Sequence, residues 1–197
     1  MKKSKKGVTL VELVICCAIT VMLAGACTAV LISGQRVWKS GSESANAQMT
    51  ADVIQTSLYG KLPSYDKATA AHKDSETVYS YTVSAATGTV IYISEDDGLV
   101  IRTNGKNMTL DDVKDMTVSL LKVGSKESAR TQFNYTATLV DGREFSGGIV
   151  ISNLIHKADG TNPPITVGGG LALTDLETGI SLKDHAIRFY SDAPAGS

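Results

Sequence analysis

Cysteine is almost absent from this 197-residue chain. All three cysteines (Cys16, Cys17, Cys27) lie near the N-terminus, and Gly34–Ser197 contains none. No disulfide framework can hold the larger part together, so its stability must come from an apolar core. Histidine is equally sparse: His72, His156 and His185 are widely separated and share no ligand spacing, which speaks against a histidine metal site. There is no Gly-x-Ser-x-Gly elbow, and Gly168–Gly170 is not followed by Lys-Ser or Lys-Thr. Neither a hydrolase nucleophile nor a phosphate-binding loop is therefore expected. A basic stripe is missing too. After Ser33 the chain has 15 Lys and Arg against 19 Asp and Glu, a net charge of −4. That balance argues against direct nucleic-acid binding. The acidic clusters Glu95-Asp96-Asp97 and Asp111-Asp112-Val113-Lys114-Asp115 do not match the spaced-ligand calcium loop and read as solvated hairpin tips. No catalytic constellation and no cofactor site are legible, so the chain does not read as an enzyme.

The most informative gap is in charge. The 26 residues from Val8 to Ser33 contain no Lys, Arg or Asp, and one Glu. Four lysines (Lys2, Lys3, Lys5, Lys6) precede them. About 20 apolar residues suffice to cross a bilayer, so the run is long enough to span with some tilt. The lysines predict a cytoplasmic N-terminus and an extracytoplasmic body in a single-pass membrane protein. The exception, Glu12, is costly in an apolar helix and calls for a partner. If the chain were cut between Gly7 and Val8, Val8 would expose a cationic amine, and Glu12, four residues on, would share its helical face.

The segment KKSKKGVTLVEL resembles the processing segment of the type IV pilin and pseudopilin superfamily. Gly7, Val8, Thr9, Leu10, Val11 and Glu12 fall in order on the family's glycine before the cut, its hydrophobic first mature residue and its glutamate at the fifth mature position. Val8 stands where the family most often has Phe. The resemblance implies cleavage after Gly7 by a prepilin peptidase and N-methylation of Val8. It further implies assembly with other pilin or pseudopilin subunits, with Glu12 paired to a neighbouring subunit's amine and Thr9 beside it in the assembly segment. A platform protein and an ATPase would act indirectly. The product would be a filament of a pilus, a type II secretion or a DNA-uptake (competence) system, displayed at the cell surface. The fold implied is α+β and pilin-like: a long N-terminal helix, half transmembrane and half amphipathic, on a mostly antiparallel sheet.

The residues beyond the membrane run fit that outline. From Gln35 to Leu62 the apolar residues Trp38, Ala45, Met49, Val53, Ile54, Leu58 and Leu62 recur at largely helical spacing. Gly60 and Pro63 end the pattern, and Gly34 and Gly41 are candidate bends near the membrane surface. Trp38, just past the apolar run, reads as an interface anchor against the lipid bilayer. Ser64–Glu76 reads as a polar loop. Beyond it the period changes to two, and strands are predicted over Thr77–Ala85, Thr89–Ser94, Leu99–Thr103, Met116–Val123, Gln132–Val140 and Glu144–Leu154. Asp96-Asp97-Gly98, Asn104-Gly105 and Asp141-Gly142 mark turns. Leu110–Lys114 is expected to form a short helical turn, and Gly147-Gly148 a bulge. These strands suggest one sheet of five or six. Past His156 no clear period is legible, apart from one more candidate strand in Ile180–Tyr190. The expected organisation is a leader over 1–7, a transmembrane half over 8–33, an amphipathic half over 34–62, and a β-rich body over 63–197 whose extension from about 156 is weakly defined.

One competing pattern is present. Ala24-Gly25-Ala26-Cys27 approximates a lipobox, with Cys27 as the acylated residue of a membrane-anchored lipoprotein carrying an extracytoplasmic binding domain. Ala24 stands where Leu is usual, and the apolar run continues through Ala29–Ile32, which a lipid anchor does not need.

Overall fold

The structure is a computed structural model that describes residues 9–85, 87–124, 129–155 and 163–191. It is α+β. A long N-terminal helix, α1 (Leu10–Tyr59), is followed by strands and two short helices. The chain divides into two units, Met1–Asn46 and Ala47–Ser197.

In the first unit α1 runs unbroken through Gly34 and Gly41. A Cβ added at either glycine would meet nothing within 4 Å. Every residue from Leu10 to Ser42 is exposed.

In the second unit the remainder of α1 turns Thr50, Ile54 and Leu58 into the core. Ala47 packs against that core, and Leu62 continues the line at the start of a 3-10 turn, Leu62–Ser64. Spacings of three and four residues place these positions on one helical face. The expected stripe is correct at Ile54, Leu58 and Leu62 but rotated further upstream: Ala45 and Met49 are exposed, Met49 at 68%. Ala47 and Thr50 take their places, because a small residue and a half-polar one can still pack closely.

The strands form two sheets rather than the single one expected. In chain order they are β1 (Lys67–His72), β2 (Thr89–Ser94), β3 (Gly98–Thr103), β4 (Lys106–Leu110), β5 (Val113–Val123), β6 (Arg130–Leu139), β7 (Glu144–Ile155), β8 (Ile165–Gly168), β9 (Ile180–Ser181) and β10 (His185–Tyr190). The first sheet has the order β4-β3-β2-β10-β1-β8, the second β7-β6-β5-β9. Pairings are antiparallel except β1 with β8, which is parallel. One core cluster joins residues of both sheets with Ile54 and Leu58 of α1. At its centre Phe133 of β6 meets Phe189 of β10 edge to face, ring centres 5.4 Å apart.

Local chemistry explains the hairpins. Asn104 (φ 48°) and Gly105 (φ 80°) both take positive φ between β3 and β4, as a primed two-residue turn requires. Gly98 opens β3 at φ +67°, and a side chain there would collide with the Leu110 carbonyl. The segment Leu110–Lys114 is not helical; it is the tight link from β4 to β5, with Asp111 and Asp112 at its tip.

Thr77–Ala85 is not a strand. It lies in a helix, α2 (Glu76–Ser84), that covers the side of the first sheet bearing Ala71, Val90, Val100 and Ala186. Val78, Tyr79, Thr82 and Val83 are its buried or half-buried residues, whereas Ser80 and Tyr81 are exposed. Under α2, Arg188 of β10 is 7% exposed and donates to the Thr87 carbonyl (3.2 Å) and hydroxyl (2.9 Å). Its guanidinium lies 4.3 Å from the centre of the Tyr190 ring.

The polar loop expected over 64–76 contains β1, Lys-Ala-Thr-Ala-Ala-His, which lies between β10 and β8. Its alanines are poor strand formers, but their small size suits a strand paired on both edges. Gly147 and Gly148 form no bulge, since they pair in regular register with Tyr135 and Asn134. The irregularity lies between Arg130 and Thr131. Gly147 instead makes room for a ring: a Cβ there would stand 2.5 Å from the Tyr135 hydroxyl oxygen. The C-terminal part supplies β8, a short helix α3 (Leu173–Thr178), β9 and β10, and so interleaves with both sheets.

Candidate functional site

The apolar part of α1 is one helix near the N-terminus, long and apolar enough to cross a membrane. Its large side chains are outward: Leu10, Val21, Met22 and Val30 are 81%, 72%, 75% and 71% exposed. Its threonine hydroxyls are satisfied within the helix. Thr20 donates to the Cys16 carbonyl and Thr28 to that of Ala24, each at 2.8 Å. Internal satisfaction is what a segment surrounded by hydrocarbon requires. Cys16, Cys17 and Cys27 are exposed and free, and Cys27 lies in uninterrupted helix.

The start of α1 is built around Glu12. Thr9 precedes the first helical residue. Its backbone N–H donates to Glu12 Oε2 at 2.9 Å, and its hydroxyl donates to the same oxygen at 3.0 Å. The Glu12 N–H is 3.3 Å from the Thr9 hydroxyl oxygen. This reciprocal arrangement is a capping box, which satisfies helix-start donors that otherwise have no partner. Both bonds fall on Oε2; among the described residues Oε1 accepts none. Sequence reading placed Thr9 and Glu12 in one segment but missed their mutual bond. The Thr-x-x-Glu spacing is the signal that identifies it. Gly7 and Val8, the expected processing pair, lie outside the described residues, as does His156. Trp38 is 81% exposed on α1, with Lys39 and Glu43 forming an exposed pair (3.9 Å) one residue further on.

A second feature lies in the β-rich unit and was not foreseen. His72 and His185, far apart in sequence, are cross-strand partners at the end of the β1–β10 ladder. Their rings stand 4.4 Å apart at 87°. Together with Asp74, Gly169, Gly170, Asp175 and Ser181 they border a cleft of about 490 Å³. His185 Nδ1 lies 2.8 Å from the Ser181 carbonyl oxygen. His72 Nδ1 is 3.1 Å from the Asp74 backbone nitrogen and 3.3 Å from Asp74 Oδ2. The reading that the histidines are unrelated is therefore corrected for this pair: strand pairing, which no local spacing encodes, brings them together. No group of three or more His, Cys, Asp and Glu positioned for a metal occurs among the described residues.

Burial also acts on three tyrosines of this unit. The phenols of Tyr79, Tyr92 and Tyr135 are all held above the usual value of 10.0, chiefly by desolvation. Arg102 partly opposes the rise at Tyr92.

No protein-family model, curated protein or solved structure matches the chain.

Proposed function

We propose that the chain is a type IV pilin-like or pseudopilin structural subunit. A prepilin peptidase removes the leader after Gly7, Val8 is N-methylated, and the N-terminal helix packs with those of other subunits into a filament. The filament belongs to a pilus, secretion or DNA-uptake system. Before assembly α1 spans the bilayer with its N-terminus cytoplasmic and the β-rich unit outside; a platform protein and an ATPase drive extraction indirectly.

The observation that carries this reading is Glu12. It is the one charged residue between Val8 and Ser33, it follows the Gly7–Val8 junction at the family's spacing, and one of its carboxylate oxygens is uncommitted among the described residues. An anchor has no use for an anion at that depth. A subunit that must fix its register against a neighbour's new amine does.

Intact-mass and N-terminal analysis of the protein from its native membrane tests the proposal. The expected species begins at Val8 and carries one methyl group on its amine. A chain that retains Lys2–Lys6, or one that begins at a diacylglyceryl Cys27, overturns it.

A further inference from the structure

We propose that His72 and His185 form a two-histidine site for a transition-metal dication of the zinc class, in the cleft between the end of the β1–β10 ladder and the segment Gly169–Ser181. The inference stands on the β-rich unit alone and is independent of the assembly proposal.

Four observations converge. First, the two imidazoles are set by backbone, because their Cα positions are partners in a regular antiparallel ladder. Two imidazoles on one tetrahedral zinc, with Zn–N bonds of 2.0–2.1 Å, hold their ring centres about 5 Å apart. The pair stands at 4.4 Å with the rings at 87°, close to that separation. Second, each ring is held at Nδ1, which leaves Nε2 as the ligand atom. With its Nδ1 proton donated to the Ser181 carbonyl, His185 presents a lone pair at Nε2. At His72 the Asp74 N–H donates to Nδ1, so ligation at Nε2 requires the ring proton to shift to Nδ1 and the ring to exchange that N–H for Asp74 Oδ2, 3.3 Å away, as its acceptor. A second partner that orients the imidazole in this way is the usual support of a metal-ligating histidine.

Third, the cleft favours a cation: Asp74 and Asp175 border it and no Lys or Arg does. Asp175 Oδ2 is engaged by the Ala172 N–H at 2.8 Å. Fourth, a volume of about 490 Å³ leaves room for the waters that complete a coordination shell supplied with two protein ligands. Imidazole selects zinc, nickel or copper over calcium and magnesium.

The test uses the full chain in detergent with Cys16→Ser, Cys17→Ser and Cys27→Ser, so that no thiol competes. Zinc chloride is titrated while the three histidine ring resonances are followed by NMR, and stoichiometry is read by calorimetry. Spectra of His72→Asn and His185→Asn assign the signals. The expected result is one equivalent of zinc, which shifts the His72 and His185 signals together and leaves that of His156 in place; magnesium chloride shifts neither. Each single Asn variant weakens binding by about tenfold or more. Movement of the His156 signal alone, of one partner without the other, or of none overturns the proposal, as does unchanged affinity in the double variant. The parent spectrum decides by itself if a variant fails to fold.

Discussion

Thr131 lies on the inner face of β6, fully buried, and among the described residues its hydroxyl has no hydrogen-bond partner. A buried hydroxyl left unpaired costs about 1–3 kcal/mol of desolvation. Thr131→Val keeps the branched shape, suits a strand, and replaces that hydroxyl with a methyl group facing Ile151 across the ladder. It should stabilise the β-rich unit by about 1–2 kcal/mol. For a domain of this size each kcal/mol raises Tm by about 2–4 °C, so the expected shift is roughly 2–8 °C upward. Thr131→Ser does the reverse: the unpaired hydroxyl stays and a buried methyl is lost, at a cost of about 0.8 kcal/mol or more. The assay is thermal unfolding of the full chain in detergent, followed by the near-ultraviolet circular dichroism of the tyrosines, so that α1 does not dominate the signal. A Val variant that melts below the parent would refute the argument and show that the Thr131 hydroxyl has a partner worth more than its burial costs.

Glu12→Gln keeps a side-chain oxygen for the Thr9 donors but removes the charge, whereas Glu12→Ala removes both. Under the proposed function both variants insert into the membrane and both fail to enter filaments in a pull-down of assembled material; normal incorporation of the Gln variant would show that the capping box is the residue's whole role. Gly147→Ala places a methyl group against the Tyr135 ring, which packs near Phe133 and Phe145. A loss of about 1–3 kcal/mol in chemical denaturation is expected from such overpacking, and an unchanged midpoint would mean that the ring can swing aside. The raised phenols of Tyr79, Tyr92 and Tyr135 make stability fall on the alkaline side. Below pH 10 both states hold the phenolic proton and the term is constant. Above it the unfolded chain releases protons that the folded one retains, so unfolding is favoured as pH rises toward the folded values. Tyrosinate absorbance should lag in the native protein and appear together with unfolding; full titration of an intact fold near pH 10 would contradict the burial.

What was legible in the sequence is what short-range chemistry determines. The turns at Asp97-Gly98, Asn104-Gly105 and Asp141-Gly142 announce their hairpins, because few residues accept the dihedrals these links need. The end of α1 was legible at Gly60 and Pro63, where backbone cost and a missing N–H stop a helix. The strand expected over Thr77–Ala85 is a helix because its alternating Val, Tyr, Thr and Ser satisfy both periods. The sheet beneath decides, and burying Val78, Tyr79, Thr82 and Val83 together requires a helix. β1 was hidden because alanine has little strand preference of its own; its state is set by β10 and β8, contributed from the other end of the chain. The same long-range pairing creates the His72–His185 contact, so no window of sequence around either histidine contains it.

The capping box sharpens the question of Glu12. It accounts for an acceptor three residues after Thr9, but a neutral glutamine would serve Thr9 equally and would be less costly to place beside hydrocarbon. The geometry of the helix start therefore explains the position of the side chain and leaves its charge unexplained. A charge retained in an apolar setting points to a cation within reach. Along α1 the next basic residue is Arg36, about 36 Å away at 1.5 Å per residue, too distant to help. Under the proposed function the cations available precede Thr9 in the sequence: Lys2, Lys3, Lys5 and Lys6, or the amine that cleavage after Gly7 would create at Val8. These differ in kind. Four lysines would offer a diffuse positive field that fixes no register, whereas a single amine would be a point charge at a defined place on a neighbour's helix. Removal of the leader would thus convert an unspecific electrostatic setting into one that tells each subunit how far along its neighbour to sit.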